Sequence, residues 1–406
     1  MVIQTARRAQ SALAAETSSA IPADDMGARA RRVAGVAAEY ADVVDRDGRV
    51  PIEAIAAAKS ERLMAVLAPR RLGGEDASHH DVVEACFILG QACSSTALIY
   101  AMHQVKMACI VRHARGSTWH EAFLARIAAE QLLLASSTTE GQSGGAIRSS
   151  DAPVTLDAGR IRLSREASVI SYGEIADGLV TTARRAPDAA ASDQVLLVLD
   201  RRDYSLKRTR EWDTLGMRGT VSAGFQLDAE ADPAQILPEP YERIHRESMT
   251  PSAHLFWSAA WAGIAAGAVE RARRQLAQSA RNMQGTPPSS PHLIKALRSL
   301  HALRTLIASL TSRFEAIKED RAALSLLEFQ NAINLLKVEA SELAVETVMC
   351  ALRAAGLSGY RNDSEASLGR HLRDVLSAPT MISNDRILAN IATGCLLVAS
   401  PQAIRD

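Results

Sequence analysis

The spacing of apolar residues changes period twice along this chain, and that double change limits the folds open to it. Between about Asp25 and Glu130 apolar residues recur at helical spacing, as in Val33, Val36, Ala37 and Tyr40, and again in Val82, Val83, Cys86, Phe87 and Leu89. Between about Gln131 and Glu247 the text breaks into short segments such as 160–163, 167–171 and 194–199. These are bounded by Gly, Asp, Pro and Ser, the pattern of strands in an antiparallel barrel. After Ser248 the helical period returns in longer segments, interrupted once by Pro287, Pro288 and Pro291. The order predicts an α+β chain: an N-terminal helical domain over 1–130, a middle β-barrel domain over 131–247 and a C-terminal helical domain over 248–406. No internal repeat runs through it.

Composition narrows the function. With 406 residues, 47% hydrophobic and 23% charged, the chain can bury two or three cores. Lys and Arg number 46, as do Asp and Glu, so no net field attracts nucleic acid or an anionic membrane surface. The cysteines, Cys86, Cys93, Cys109, Cys350 and Cys395, lack the close pairing of a zinc site or disulfide scaffold and read as buried thiols of a reducing, cytoplasmic protein. Arg7 and Arg8 are followed by interrupted Ala-rich text, unlike a secretory leader. The apolar run from Leu255 to Val269 falls short of the roughly 18 residues of a membrane span and predicts a helix buried on most sides. The break at 69–76 has turn chemistry and leads into Ser78 and Asp81, which start the next helix.

One string stands out at the junction of the strand-rich middle and the long helices: Glu211-Trp212-Asp213-Thr214-Leu215-Gly216-Met217-Arg218-Gly219-Thr220. It resembles the linker signature of the flavin-dependent acyl-CoA dehydrogenases, and the helix opened by Pro51 is similar to part of their N-terminal domain. The resemblance implies an acyl-CoA dehydrogenase-like fold with a C-terminal four-helix bundle, an FAD cofactor, and a homodimer or homotetramer whose dinucleotide site is completed across subunits. It also implies cofactor contacts. Ser136, Thr138 and Thr139, after the apolar run 132–134, match the first flavin strand. Beyond Glu140 the sequence Gly141-Gln142-Ser143-Gly144-Gly145 departs from that strand. Val169 and Ser171 match the strand that packs on the ring, with Val169 where the family has an aromatic residue. Arg281 matches an arginine that reaches the dinucleotide, although Gln284 replaces an aromatic; Arg353 and Gly356 match a turn that meets the same group. Each has a plainer reading: a solvated Ser/Thr turn, a surface arginine, a glycine that caps a helix.

The resemblance makes α,β-dehydrogenation of an acyl thioester, on CoA or a carrier protein, the expected reaction, with an electron-transfer flavoprotein as partner. That reaction needs a carboxylate within reach of the proton beside the thioester. In most of the family it follows an Arg-Asp pair, here Arg373-Asp374, but counting forward lands on Thr380-Met381-Ile382-Ser383. A minority carries it near the start of the first C-terminal helix, here Ser252-Ala253-His254-Leu255. Neither stretch contains Asp or Glu. Asp385 is a candidate relocated base, or else an ion-pair partner of Arg386 or a helix N-cap. The alternative is a monooxygenase using reduced flavin, FMN in place of FAD, with oxygen and a flavin reductase. His371, in Arg370-His371-Leu372-Arg373, and His103 are its candidate catalytic side chains. A third reading is a degenerate binder of flavin or an acyl chain. No metal site is expected.

Overall fold

The structure, a computed structural model, describes residues 25–139 and 149–396. The described residues open with five α-helices: α1 (Met26–Asp47), α2 (Ile52–Ser60), α3 (His79–Ala92), α4 (Ser94–His113) and α5 (Thr118–Glu130). Their ends follow local chemistry. Asp25 caps α1 by accepting the Ala28 N–H at 2.8 Å, and Gly48, at φ +61°, closes it. Ser78 and Asp81 form a reciprocal capping box at the start of α3, as the sequence predicts.

The middle strands form two sheets. β1 (Leu134–Ser137), β4 (Gly178–Arg184) and β5 (Gln194–Asp200) make one in the order β1-β4-β5, with β1 parallel to β4. β2 (Thr155–Asp157), β3 (Arg160–Ile170), β7 (Ala223–Ala231) and β6 (Tyr204–Arg210) make the other, antiparallel throughout. Among the described residues these strands do not close into the expected antiparallel barrel. The reason lies in burial: β3 alternates between core and solvent, whereas β5 is buried along its whole length and β4 along all but its last residue. A strand covered on both faces reads as a continuous apolar run and says nothing about which strands flank it. β3 carries a bulge against β7 between Ala167 and Ile170, which bends the ladder where Ser168 and Val169 stand.

The C-terminal domain is built on three long helices, α7 (Thr250–Met283), α8 (Ser290–Ile317) and α10 (Leu327–Tyr360), with short α13 (Asn384–Cys395) packed on α10 as the fourth. Helices α6 (Tyr241–Ile244), α9 (Arg321–Ser325), α11 (Gly369–Val375) and α12 (Ser377–Thr380) complete it. α6 runs through a π-turn, His245–Met249, straight into α7, so the helical run begins at Tyr241 rather than at Ser248. Pro251 accounts for the turn: it lacks an N–H and crowds the preceding carbonyls, and the wider π-turn relieves that crowding. The run 255–269 lies in α7 and is buried on most sides, in part against α3. There a Cβ on Gly90 would meet the Ala260 carbonyl oxygen at 2.4 Å, and one on Gly263 would meet that of Phe87 at 2.4 Å. Among the described residues no helix is long and apolar enough to cross a membrane, and no group of His, Cys, Asp and Glu could hold a metal. Cys86, Cys93 and Cys109 are buried and unpaired.

The 211–220 string threads between the domains. A Cβ on Gly216 would lie 2.1 Å from the Arg373 carbonyl oxygen, and one on Gly219 would lie 2.3 Å from Val44 Cγ1. Met217 and Val221 take φ of +54° and +43°, conformations that side-chain-bearing residues hold only where the surroundings impose them. Asp374 Oδ1 accepts the Met217 N–H at 2.7 Å, and Arg218 Nε donates to the Asp45 carbonyl at 2.7 Å.

Two outcomes follow from this packing. Gly216→Ala cannot be accommodated without moving α11, and we expect urea denaturation to show a loss of about 3 kcal/mol; a loss under about 0.5 kcal/mol would contradict the contact. Burial holds His103, His120 and His254 at about 4 and His113 at about 3, so all stay neutral in the fold. As pH falls below the ordinary histidine value of about 6.5, the unfolded chain takes up protons that the fold refuses, and stability is lost progressively down to about pH 4. Urea midpoints measured at pH 7 and pH 5 should differ accordingly; equal midpoints would refute this account.

Candidate flavin and substrate site

Two sets of side chains occupy the positions that the family resemblance assigns to the ring edge and to the base. The first is a row of hydroxyls. Ser136, Thr138 and Thr139 are half-buried at the end of β1, and Ser168 Oγ donates to Thr139 Oγ1 at 3.2 Å. Ser137 Oγ, turned to the other face of the strand, is enclosed and has no hydrogen-bond partner among the described residues. At the β3 bulge Val169 is 38% exposed, an apolar surface beside these hydroxyls. Ser171 continues the row: its Oγ lies 2.7 Å from Ser222 Oγ, which lies 2.8 Å from Thr220 Oγ1, which donates to the Met217 carbonyl at 2.9 Å. Uncharged groups that both donate and accept suit the polar edge of a flavin ring. The 141–145 departure lies outside the described residues.

The second set surrounds the two places where a carboxylate base is missing. Ile382 occupies the first, at φ +53°, a conformation that a β-branched residue adopts only under constraint. The constraint is Lys337 of α10. This side chain is fully buried, and its Nζ donates to the Ala378 carbonyl at 3.0 Å, the Ile382 carbonyl at 2.6 Å and Asn384 Oδ1 at 2.7 Å, 5.6 Å from the centre of the Trp261 ring. Burial lowers Lys337 to about 8, leaving it charged at neutral pH, with each of its three donors on an oxygen. The carboxylate that touches this turn, Glu342, accepts from Asn384 Nδ2 at 3.3 Å but is itself exposed.

His254 stands at the second place. It is 3% exposed, and its Nδ1 donates to the Ile333 carbonyl at 2.9 Å. That bond fixes the tautomer, so Nε2 carries the lone pair, and it has no hydrogen-bond partner among the described residues. Burial, reinforced by nearby Lys337, keeps the ring neutral. The two base positions, remote in sequence, therefore share one neighbour in Lys337. Sequence reasoning missed this lysine because a lysine in helical text ordinarily marks a solvated face.

The other predicted residues lie elsewhere. His103 is fully buried with Nε2 donating to the Met64 carbonyl at 2.7 Å and Nδ1 accepting the Leu134 N–H at 3.0 Å. Both nitrogens are engaged by backbone, so it splices α4 to β1 and has none left for a substrate. His371 is buried with Nδ1 unpartnered, but it packs against α7 at Gly267, where an added Cβ would come within 3.3 Å of its Nε2. About 20 Å of helix separates that point from His254. Asp385 is exposed in the first turn of α13, and the side chain turned inward there is Asn384. Arg281 and Arg353 are both exposed, at one end of the bundle, about 40 Å along α7 from His254. One chain does not bring them to the hydroxyl row. Gly356, beside Arg353, has φ +61° and ψ −143° inside α10, so it kinks that helix rather than capping its end.

Sequence reading also missed a third arrangement. His79 Nε2 lies 3.1 Å from Ser252 Oγ, and His79 Nδ1 lies 2.9 Å from Glu315 Oε1. The geometry is that of a nucleophile triad. Ser252 is fully buried, however, and His79 stacks between Phe256 and Phe314, so no acyl group reaches the hydroxyl and the trio ties α3 to α7 and α8.

Known proteins share this organisation. Residues 25–131 match the acyl-CoA dehydrogenase N-terminal domain and residues 239–383 the acyl-CoA dehydrogenase C-terminal domain. The chain is 26% identical over 349 residues to the amino sugar nitrososynthase DnmZ of Streptomyces peucetius, covering 82% of each protein. Its fold is similar to that of FMN-bound TdsC from Paenibacillus sp. A11-2, with a TM-score of 0.81 at 18% identity over 93% of this chain and 98% of that one. It is also similar to a nitrososynthase from Micromonospora carbonacea var. africana, with a TM-score of 0.78 at 21% identity over 94% of this chain and 100% of that one. With both terminal domains matched in order around the glycine-bearing linker, the chain belongs to the acyl-CoA dehydrogenase superfamily.

Proposed function

We propose that the protein is a monooxygenase that uses reduced FMN and molecular oxygen to oxygenate a nitrogen or sulfur atom of a small molecule. The observation that carries this reading is the pair of base positions. One is an isoleucine in a turn fixed by Lys337, and the other is a histidine whose ring is anchored to a backbone carbonyl. Removal of the α-proton of an acyl thioester needs a base such as a carboxylate at one of them, whereas oxygenation of a heteroatom needs none. The expected dehydrogenation is therefore the less supported reading. Resemblance to a nitrososynthase and to FMN-bound TdsC points the same way. FMN lacks the adenylate half of FAD, so replacing the family's residues around Arg281 and Arg353 carries no penalty.

The residues fit a flavin, on the observation that Ser136, Thr138, Thr139 and Ser171 are half-buried hydroxyls beside the exposed apolar surface of Val169. When bound, reduced flavin supplies the activation of oxygen. The chain's own residues do the rest. Ser136, Thr138, Thr139 and Ser171 hold the ring edge, and Val169 covers it. Ile382 presents an apolar wall where the family has a charge. His254 Nε2 accepts a hydrogen bond from the substrate heteroatom. A flavin reductase supplies electrons, and a homo-oligomer completes the assembly.

Mixing the FMN-loaded protein anaerobically with acyl-CoA esters should leave the flavin absorbance unchanged. Adding a flavin reductase, NADH and oxygen should convert a small amine or sulfur substrate with one atom of ¹⁸O incorporated from ¹⁸O2. Bleaching by an acyl-CoA without oxygen would overturn the reading. His254→Asn retains a donor for the Ile333 carbonyl and removes the Nε2 lone pair. We expect FMN affinity within about twofold of wild type and turnover reduced about 100-fold; turnover within threefold of wild type would remove His254 from this role.

A further inference from the structure

Lys106 is a buried amine with no oxygen partner among the described residues. It lies in the middle of α4, 4% exposed, and among the described residues its Nζ has one partner, the thioether of Met249 at 3.8 Å. A thioether is a weak acceptor and already takes the Tyr241 hydroxyl at 3.6 Å. Cys109, on the next turn of α4, offers no counter-charge, because burial pushes its thiol up to about 12 and keeps it neutral. Burial without an anion lowers Lys106 itself. The contrast with other lysines is direct. Lys59 meets Asp177 at 2.6 Å, Lys318 meets Glu315 at 2.8 Å, and Lys337 ends on three oxygens. An ammonium withdrawn from water and given no oxygen destabilises the fold unless something else supplies one.

Its position indicates what that is. His103, one turn earlier on the same helix, splices α4 to Leu134, and the strand begun there ends in the Ser136 to Thr139 hydroxyls. Met249, on the other side, closes the π-turn that leads to His254. Lys106 thus stands at the junction of α4 and the π-turn that leads into α7, one helical turn from the His103 splice to β1. We propose that Lys106 is a receptor for an anionic oxygen of the substrate, of the carboxylate, sulfinate or phosphate class. This rests on the oxygenase reading for the identity of the site, and it narrows the substrate to small heteroatom nucleophiles that also carry an oxyanion.

The test needs neither oxygen nor reductant, so it separates from a failure of the oxygenase assay. Thermal unfolding of the full-length FMN-loaded protein is followed with sodium acetate, methanesulfinate or inorganic phosphate, against sodium chloride at equal ionic strength. At least one of the three should raise the wild-type midpoint saturably by about 3 °C or more. Lys106→Met, which keeps the unbranched shape, should raise the midpoint in chloride and lose the anion-dependent rise, with FMN affinity unchanged. Lys106→Gln provides a second variant. An equal response of wild type and variants, no anion effect in wild type, or failure of both variants to fold would each overturn the assignment, the last by making the ammonium structural.

Discussion

A single hydrogen bond, from the Met217 N–H to the Asp374 carboxylate, is the point on which the three parts of this fold turn. Met217 lies in the linker that leaves the sheets, and Asp374 is on α11 among the C-terminal helices. Next to it Arg373 reaches Asp45 of α1 at 3.0 Å and the Leu215 carbonyl at 3.1 Å. Burial raises the Asp374 carboxyl above its ordinary range, and the Met217 N–H pulls it back toward the charged form. The left-handed backbone at Met217 and Val221 is unfavourable by itself, and it persists because each neighbouring element supplies a partner. The glycines at 216 and 219 are there because helix backbone and a valine occupy the space where their side chains would be.

With the domains held in that relation, the site is governed by how buried charge is paired. Lys337 organises the turn where the family resemblance leads one to expect a carboxylate, and the charge found there is a buried ammonium. An ammonium satisfied by three oxygens acts as a structural centre, and the residue facing outward from the turn can then be apolar. Ile382 is that residue, held in a backbone geometry it would not choose. The turn without a carboxylate is thus a fully bonded one, with each Lys337 donor on an oxygen.

The parts legible in the sequence are those where local chemistry and fold agree. The two changes of hydrophobic period located the helical and sheet regions, and the glycines of the linker marked close approach before any contact was visible. The barrel was not legible, because β4 and β5 are apolar throughout and such runs report burial without neighbours. His103 was misread for a related reason: its partners, the Met64 carbonyl and the Leu134 N–H, are backbone groups far away in the chain. Lys337 and Lys106 were invisible because helical spacing does not tell whether a long cationic side chain runs outward to water or inward along its stem. His254 was in view only as the absence of a carboxylate, and its anchored ring required the neighbouring helix.

The π-turn at His245–Met249 has a consequence for how this protein can vary. It holds one residue more than an α-helix of the same length, and each residue turns a helix by about 100°. Removing that residue would make the helix regular and keep the side chains beyond it in phase, whereas winding all five residues as α-helix would rotate every side chain beyond them by about 100° relative to α6. Trp261 and Gly263 would leave the faces they now occupy, and Gly90 would meet a side chain instead of bare backbone. The 34 residues of α7 are therefore phased by this one irregular turn, so a change in how it winds acts on the whole helix at once, whereas a change of residue acts only locally.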